Sequence, residues 1–320
     1  MNIQQQIIHF LRNAEHYISG EEISRSLKIS RSAIWKYIQD LRENGYDIVA
    51  VPHLGYKLNT APDTPFPDEI RHGLKTKFVG HEVHFFETTA STMDEAFQLG
   101  LKGCAEGTVV CAEHQTKGRG RLARSWVSPK AKGIYLSVVL RPKLPPTEVA
   151  KLTLLSAVAV AEAIRVHSGL DVFIKWPNDL LIKNRKVVGI LTELNAETDR
   201  VKFIVIGIGV NVNAALSQLP EGATSLKAEA DKDFSRVELI REILRQTEMW
   251  YLKFQKEGFG AIAQRWRQSN ATLNKRIRIT EPKGFSEGQA LDIENDGGLL
   301  IRMDSGVVVK KLVGDVTIIR

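Results

Sequence analysis

The sequence predicts an α+β protein in three parts: a helical segment closing in a hairpin (1–60), a central mixed sheet with helices (61–270) and a small C-terminal β-barrel (271–320). Three observations predict it. Two capped helical runs are followed by two short strand-like runs. The middle of the chain alternates strand-like and helical periodicity, as an α+β sheet domain does. The last fifty residues hold five short alternating runs separated by Gly and polar pairs.

In the first part, Ser19-Gly-Glu-Glu22 has the Ser-x-x-Glu form of a capping box and opens a short helix ending near Leu27. Lys28-Ile-Ser30 is a tight connection, and Ser30 is the next N-cap. The helix Arg31–Asn44 carries Ala33, Ile34, Tyr37, Ile38 and Leu41 on one face, with Gly45 placed to end it. Tyr46–Val51 and Gly55–Leu58 read as strands around the turn Pro52-His-Leu-Gly55. Asn59–Pro67 holds three prolines in six residues and reads as an extended linker.

In the middle, strand-like runs are Val83–Phe86, Thr108–Glu113, Ile134–Leu140, Val172–Lys175, Val187–Leu194 and Val201–Val210. Helical patterns are Thr92–Leu101, Glu148–His167 and Ser235–Glu257. The terminal strands are Arg276–Thr280, Ser286–Ile293, Leu299–Met303, Gly306–Leu312 and Asp315–Ile319.

Composition excludes several classes. Cys104 and Cys111 are the two cysteines and form no Cys-x-x-Cys, which rules out a disulfide framework, a zinc ribbon and an iron–sulfur cluster. No basic n-region precedes an apolar h-region at the N-terminus, so no signal peptide is expected. The longest apolar stretch, around Leu152–Ile164, is interrupted by Thr153, Ser156 and Glu162 and is too short to span a bilayer. A cytoplasmic protein without membrane contact is expected. The net charge of +7 permits polyanion binding. Most of the excess lies in the middle part, with 29 basic against 24 acidic residues.

The first segment has the pattern of a winged helix-turn-helix. Its second helix sets Arg31, Ser32, Trp35, Lys36 and Gln39 opposite the apolar face, and no acidic residue occurs between Ile23 and Gln39. Arg and Lys suit phosphates; Arg, Ser and Gln suit base edges in the major groove. A lone winged helix binds weakly, so a homodimer on a two-fold operator is expected. The alternative is a helical module for protein contacts.

The sharpest feature is Glu113-His-Gln115-Thr-Lys-Gly118-Arg119-Gly120-Arg121-Leu-Ala-Arg124-Ser-Trp126, a loop leaving a strand. Its glycines let backbone N–H groups approach an anion, and Lys117, Arg119, Arg121 and Arg124 bring four cations together. A triphosphate or a phosphoryl-transfer transition state suits it. It is neither a Walker loop nor a dinucleotide fingerprint; an RNA-binding basic loop is the rival. Further on, Lys175-Trp-Pro-Asn-Asp179 supplies Asn178 and Asp179, hard oxygen ligands suited to Mg²⁺. Lys186 is a point charge just before a strand. A β-turn and a plain strand edge is the alternative for this stretch.

Together these residues resemble the bifunctional biotin–protein ligases that also act as biotin operon repressors, over nearly the whole chain. Ser30-Arg-Ser-Ala-Ile-Trp-Lys36 resembles their recognition helix, and Ser91-Thr92 their biotin-side pair. Gly118-Arg-Gly-Arg121, Lys175-Trp-Pro-Asn-Asp179 and Gly207-Ile-Gly-Val-Asn211 are similar to their three catalytic-domain signatures. One departure stands out: many members have a third glycine where Ala123 stands, which implies less backbone freedom in this loop.

The resemblance implies a class II synthetase-like central domain and an SH3-like C-terminal barrel. It implies that biotin and ATP form biotinyl-5′-AMP, and that biotin then passes to an acceptor lysine. The implied acceptors are the biotin carboxyl carrier protein of acetyl-CoA carboxylase and pyruvate carboxylase. Biotin is expected at Ser91, Thr92, Gln115, Arg119, Gly120, Arg121, Lys186, Gly189, Gly207 and Gly209, the last three leaving room for a flat ring. ATP or the adenylate is expected at Arg119, Arg121, Arg124, Trp126, Lys186 and Asn211. Arg121, Arg124 and Lys186 are the expected catalytic groups, and Mg²⁺ the expected metal. Operator DNA is the implied partner of the winged helix, with the adenylate as corepressor. Two other functions stay open: a lipoate–protein ligase, and a metabolite-sensing transcription factor without ligase activity.

Overall fold

The computed structural model describes residues 3–281 and 284–319, which form two compact units divided between Thr64 and Pro65. The first unit contains α1 (Ile3–Asn13), α2 (Gly20–Leu27), α3 (Arg31–Glu43), β1 (Asp47–Val51) and β2 (Gly55–Thr60). The Ser19 side chain accepts from Glu22 N and that of Ser30 from Ala33 N, each satisfying an orphan donor of the first helical turn. Ile23, Ile34, Ile38 and Leu41 are buried with Ile7 and Leu11 of α1. Each such side chain contributes about 1.5–3 kcal/mol. The hairpin β1–β2 is antiparallel. Gly55, at φ +112°, closes it under Ile18: a Cβ there would stand 2.0 Å from the Ile18 carbonyl oxygen, so only glycine fits.

The second unit begins with α4 (Pro67–Arg71), β3 (Val83–Thr89), α5 (Thr92–Leu101), β4 (Val109–Gln115) and β5 (Gly133–Leu140). It continues with α6 (Val149–Ser168), β6 (Phe173–Lys175), β7 (Asp179–Ile182), β8 (Arg185–Ala196) and β9 (Val201–Asn211). Next come α7 (Leu226–Ala230), α8 (Arg236–Glu257) and α9 (Gly260–Gln268). These strands form one sheet in the order β3-β4-β5-β9-β8-β7-β6, parallel between β3 and β4 and antiparallel elsewhere. The mixed sheet with helices is therefore present. The apolar run expected to be too short for a membrane is the core of α6, which packs on α8 and α9. Among the described residues no helix is long and apolar enough to cross a membrane.

Strand alternation divides the core. Ile134, Leu136 and Val138 of β5 and Ile204, Ile206 and Ile208 of β9 point to the α6–α8 face. Val139, Phe203 and Val205 point to the other, where Met93 and Ala96 of α5 cover them. Both faces are buried, which is why these strands read as near-continuous apolar runs.

The chain ends in β10 (Arg276–Glu281), β11 (Gly284–Ile293), β12 (Leu299–Met303), β13 (Val308–Lys311) and β14 (Asp315–Ile318). They pair antiparallel in the order β13-β12-β11-β10-β14. Ile277, Ile279, Leu299 and Val316 belong to the same core cluster as α6 and α8. The C-terminal sheet is thus built into the second unit. Trp176, 1% exposed, is clasped by it: its backbone N donates to Thr272 Oγ1 at 2.9 Å and its Nε1 to the Gly297 carbonyl at 3.1 Å.

Candidate active site

The α5 face of the sheet runs out of large side chains toward one end. Along β9 the residues on that face are Phe203, Val205, Gly207 and Gly209; on β8 Gly189 shares it. A shallow floor results, and a cleft opens above it. Every residue expected to touch biotin or ATP lines this cleft except Asn211. They come from the start of α5, the end of β4, the loop after it, β8 and β9, and are drawn together only by the strand order.

One wall is a set of oriented polar groups. Ser91 caps α5. Gln115 ends β4, where its Oε1 accepts from Thr92 N at 2.9 Å and Thr92 Oγ1 at 3.2 Å, and its Nε2 donates to Ser128 Oγ at 3.1 Å. Ser137 Oγ donates to Thr92 Oγ1 at 2.9 Å. Two residues before Gln115, buried Glu113 receives both Nη atoms of Arg236, at 2.7 and 3.0 Å, which pins β4 to the start of α8. Breaking such a buried pair costs about 3–5 kcal/mol.

The basic loop forms the lid. It closes on itself through Gly120 N to Arg124 O at 2.8 Å and Trp126 N to Gly118 O at 2.9 Å. Leu122 and Ala123 have φ of +53° and +58°. Ala123, where the resemblance supplies glycine, thus holds the left-handed backbone that glycine adopts without strain.

Arg119, Arg121, Arg124 and Lys186 do not stand free. Arg119 pairs with Asp94 and Glu193. Arg121 donates to Asn178 Oδ1 at 2.8 Å and to the Gly314 carbonyl at 3.1 Å. Arg124 meets Asp315 at 2.7 Å. Lys186 Nζ lies 2.7 Å from Asp179 Oδ1, and Lys175 lies 3.1 Å from the other oxygen. Burial raises the proton affinity of Asp179, but Lys186 and Lys175 beside it hold its carboxyl below the usual range. Burial lowers the pKa of Arg121, while Asp315 and Asp179 support its charge. Asp94, Glu193 and Asp315 escaped the sequence reading because each meets its arginine only through the fold; Met93 and Tyr135 also line the cleft unforeseen.

At three of the expected positions this structure shows intramolecular contacts. The space over Gly189 and Gly209 is filled by the Trp126 ring, whose atoms lie 2.7 and 2.4 Å from where a Cβ would stand, and Met93 covers Gly207. The glycines therefore seat side chains of this chain, and Trp126 stacks on backbone with Lys186 Nζ 5.6 Å from its ring centre. Asn211 lies outside the cleft, because its Nδ2 donates to the Thr224 carbonyl at 3.0 Å. Asn178 and Asp179 are engaged by side chains here: Asn178 Oδ1 accepts from Arg121, its Nδ2 donates to Ile190 O, and Asp179 holds two lysines. Among the described residues no cluster of acidic, His or Cys side chains suits a metal.

In the first unit, Arg31, Ser32, Trp35 and Lys36 are exposed on α3 and Gln39 is half-buried beside them. Trp35 is 58% exposed, which no packing role explains.

The fold and cleft define a ligase-type domain joined to a helix-turn-helix. Residues 85–211 match the biotin/lipoate A/B protein ligase family, and residues 3–57 match the HTH domain family. The chain belongs to the family of bifunctional biotin ligase/repressors. It is 39% identical to the bifunctional ligase/repressor BirA of Bacillus subtilis (strain 168), with 93% of each chain covered. It is 31% identical to BirA of Escherichia coli (strain K12), covering 98% of this chain and 96% of that one. The structure of biotin protein ligase from Aquifex aeolicus in complex with biotin and ATP covers 75% of this chain and 99% of its own, at 28% identity and a TM-score of 0.64.

Proposed function

We propose that the chain is an ATP-dependent biotin–protein ligase that also represses transcription through its winged helix. One observation carries the reading: sequence-distant polar, glycine and cationic residues converge on one cleft of a ligase-type sheet. The domains in this reading are the winged helix (1–60), the biotin/ATP catalytic domain (61–270) and the small C-terminal β-barrel (271–320).

In the first step a biotin carboxylate oxygen attacks the α-phosphorus of ATP, and the bond to the β-phosphate's bridging oxygen breaks. Pyrophosphate leaves and biotinyl-5′-AMP stays. In the second, an acceptor lysine amine attacks the acyl carbon, loses a proton, and AMP departs. Both steps bring anions together, so neutralisation and alignment carry the rate, with no covalent nucleophile needed. Ser91, Thr92 and Gln115 hydrogen-bond the ureido ring. Arg119, Gly120 and Arg121 close the lid, and Lys186, Arg121 and Arg124 exchange their carboxylate, amide and carbonyl partners for substrate anions. Trp126 is the surface for adenine.

The acceptors in this reading are the biotin carboxyl carrier protein of acetyl-CoA carboxylase and pyruvate carboxylase, in the cytoplasm. The adenylate doubles as corepressor by favouring a homodimer that spaces two α3 helices for a palindromic operator. Sedimentation with and without biotin plus ATP tests this; an unchanged dimer affinity would sink it.

The enzyme reading is tested by incubating the protein with biotin and ATP labelled in the α-phosphate, with lipoate in parallel. Label retained as biotinyl-AMP with biotin alone is expected. Label with lipoate instead would make it a lipoate ligase, and no label with either would leave a transcription factor.

A further inference from the structure

Lys186 is held by groups that lie outside the cleft. Its backbone is bound on both sides to a segment beyond the sheet: its N donates to the Gly222 carbonyl at 2.9 Å, and its carbonyl accepts from Thr224 N at 2.8 Å. Thr224 is fully buried. Its carbonyl receives Asn211, and its hydroxyl donates to Glu229 Oε1 at 2.6 Å. The Glu229 side chain is 0% exposed and also receives Arg185 Nη2 at 2.5 Å and Lys183 Nζ at 3.3 Å.

Arg185 immediately precedes Lys186, so the two leave β8 on opposite faces. The strand end is therefore gripped from both sides, by Asp179 on the Lys186 face and by Glu229 on the Arg185 face. The grip falls where regular pairing fails. Leu180 faces Val188 and Leu181 faces Lys186, so Val187 is an extra residue on β8. Such a bulge re-aims the side chains beside it. Three cations also crowd residues 183–186, and they repel one another unless separated. A buried carboxylate is expensive without charged partners, and Glu229 has two cations and a hydroxyl.

We infer that Glu229, together with Thr224, is a positioning residue for Lys186: it draws Lys183 and Arg185 to the far face, so that Lys186 is the cation of that turn turned toward the cleft. The catalytic consequence rests on the ligase reading; the positioning itself does not.

The test is a double-mutant cycle with a second, activity-free readout. Glu229→Gln keeps the shape and removes the charge. Pyrophosphate release with biotin and magnesium-ATP is expected to fall about tenfold or more in kcat. The KM for biotin should rise alongside, because Lys186 is among the groups expected to hold biotin. In a Lys186→Ala background the same substitution should have no further effect. Trace acetylation read by mass spectrometry should show Lys186 more reactive in Glu229→Gln than in the unmutated chain. An equal fall in both backgrounds, or unchanged Lys186 reactivity, would overturn the inference. Should Glu229→Gln not fold, Thr224→Val stands in for it, with Thr224→Ser expected to restore the rate. If the unmutated chain releases no pyrophosphate with biotin, the ligase reading fails and the acetylation result alone decides the positioning.

Discussion

On α3, Arg31 and Lys36 stand in water with no ion-pair partner among the described residues, whereas Arg119, Arg124 and Lys186 of the cleft each meet a carboxylate. Both regions read as basic in the sequence, yet they suit different anions. A duplex is a polyanion, and affinity for it comes from free cations that displace its counterions. A small substrate needs cations already fixed in direction, and the carboxylates of the cleft hold them there at the expense of an exchange when the ligand arrives. Local charge density announces an anion; only the partners tell which kind.

Breaking the cleft side of this comparison gives the largest expected effect. Lys186→Ala should lower the rate of adenylate formation about 10²–10³-fold, read by pyrophosphate release. A near-normal rate would mean that a lysine paired with Asp179 does no chemistry. On the α3 side, replacing both Arg31 and Lys36 by Ala should weaken operator binding and reduce the salt slope of log K by about two, with adenylate formation unchanged. An unchanged slope in a gel-shift titration would show that these cations do not touch phosphate.

The pairing in the cleft also sets a pH dependence. Because Lys186 and Lys175 overcome burial and hold the Asp179 carboxyl low, its contribution is complete above about pH 5 and is lost as pH falls below about 4. Asp179→Asn should cost about 1–3 kcal/mol at neutral pH and shrink that acid-side loss, measured by denaturant melts across pH. The smallest effect is expected at the lid. Ala123→Gly relieves a left-handed backbone but adds freedom to the unfolded chain, so a net change within about 1 kcal/mol is expected. A shift of several kcal/mol in thermal unfolding would mean that Ala123 packs in a way its exposure does not show.

Local rules found much of this molecule. Ser19 and Ser30 cap the helices they were read to cap, and the pattern Thr92–Leu101 is α5 to the residue. The helix α1, the short helices α4, α7 and α9 and the strand β7 went unread; the last four carry too little periodicity in five- to nine-residue helices and a four-residue strand. Within the site, Gln115 and Lys186 were legible as polar groups at strand ends. The role of Trp126 as a plate over Gly189 and Gly209 was not, since those glycines come from two strands that meet it only in space.

By itself, then, the sequence determined the order of capped helices and strands, the small residues of the floor and the presence of a cationic lid, because caps, alternation and composition act between near neighbours. The tertiary structure alone decided what each charge does. Arg121 reaches a carbonyl 193 residues away, and Asn211 turned out to hold Thr224 away from the cleft. Electrostatic partners are chosen by distance in space, and the strand order that sets those distances is written in no local stretch of chain.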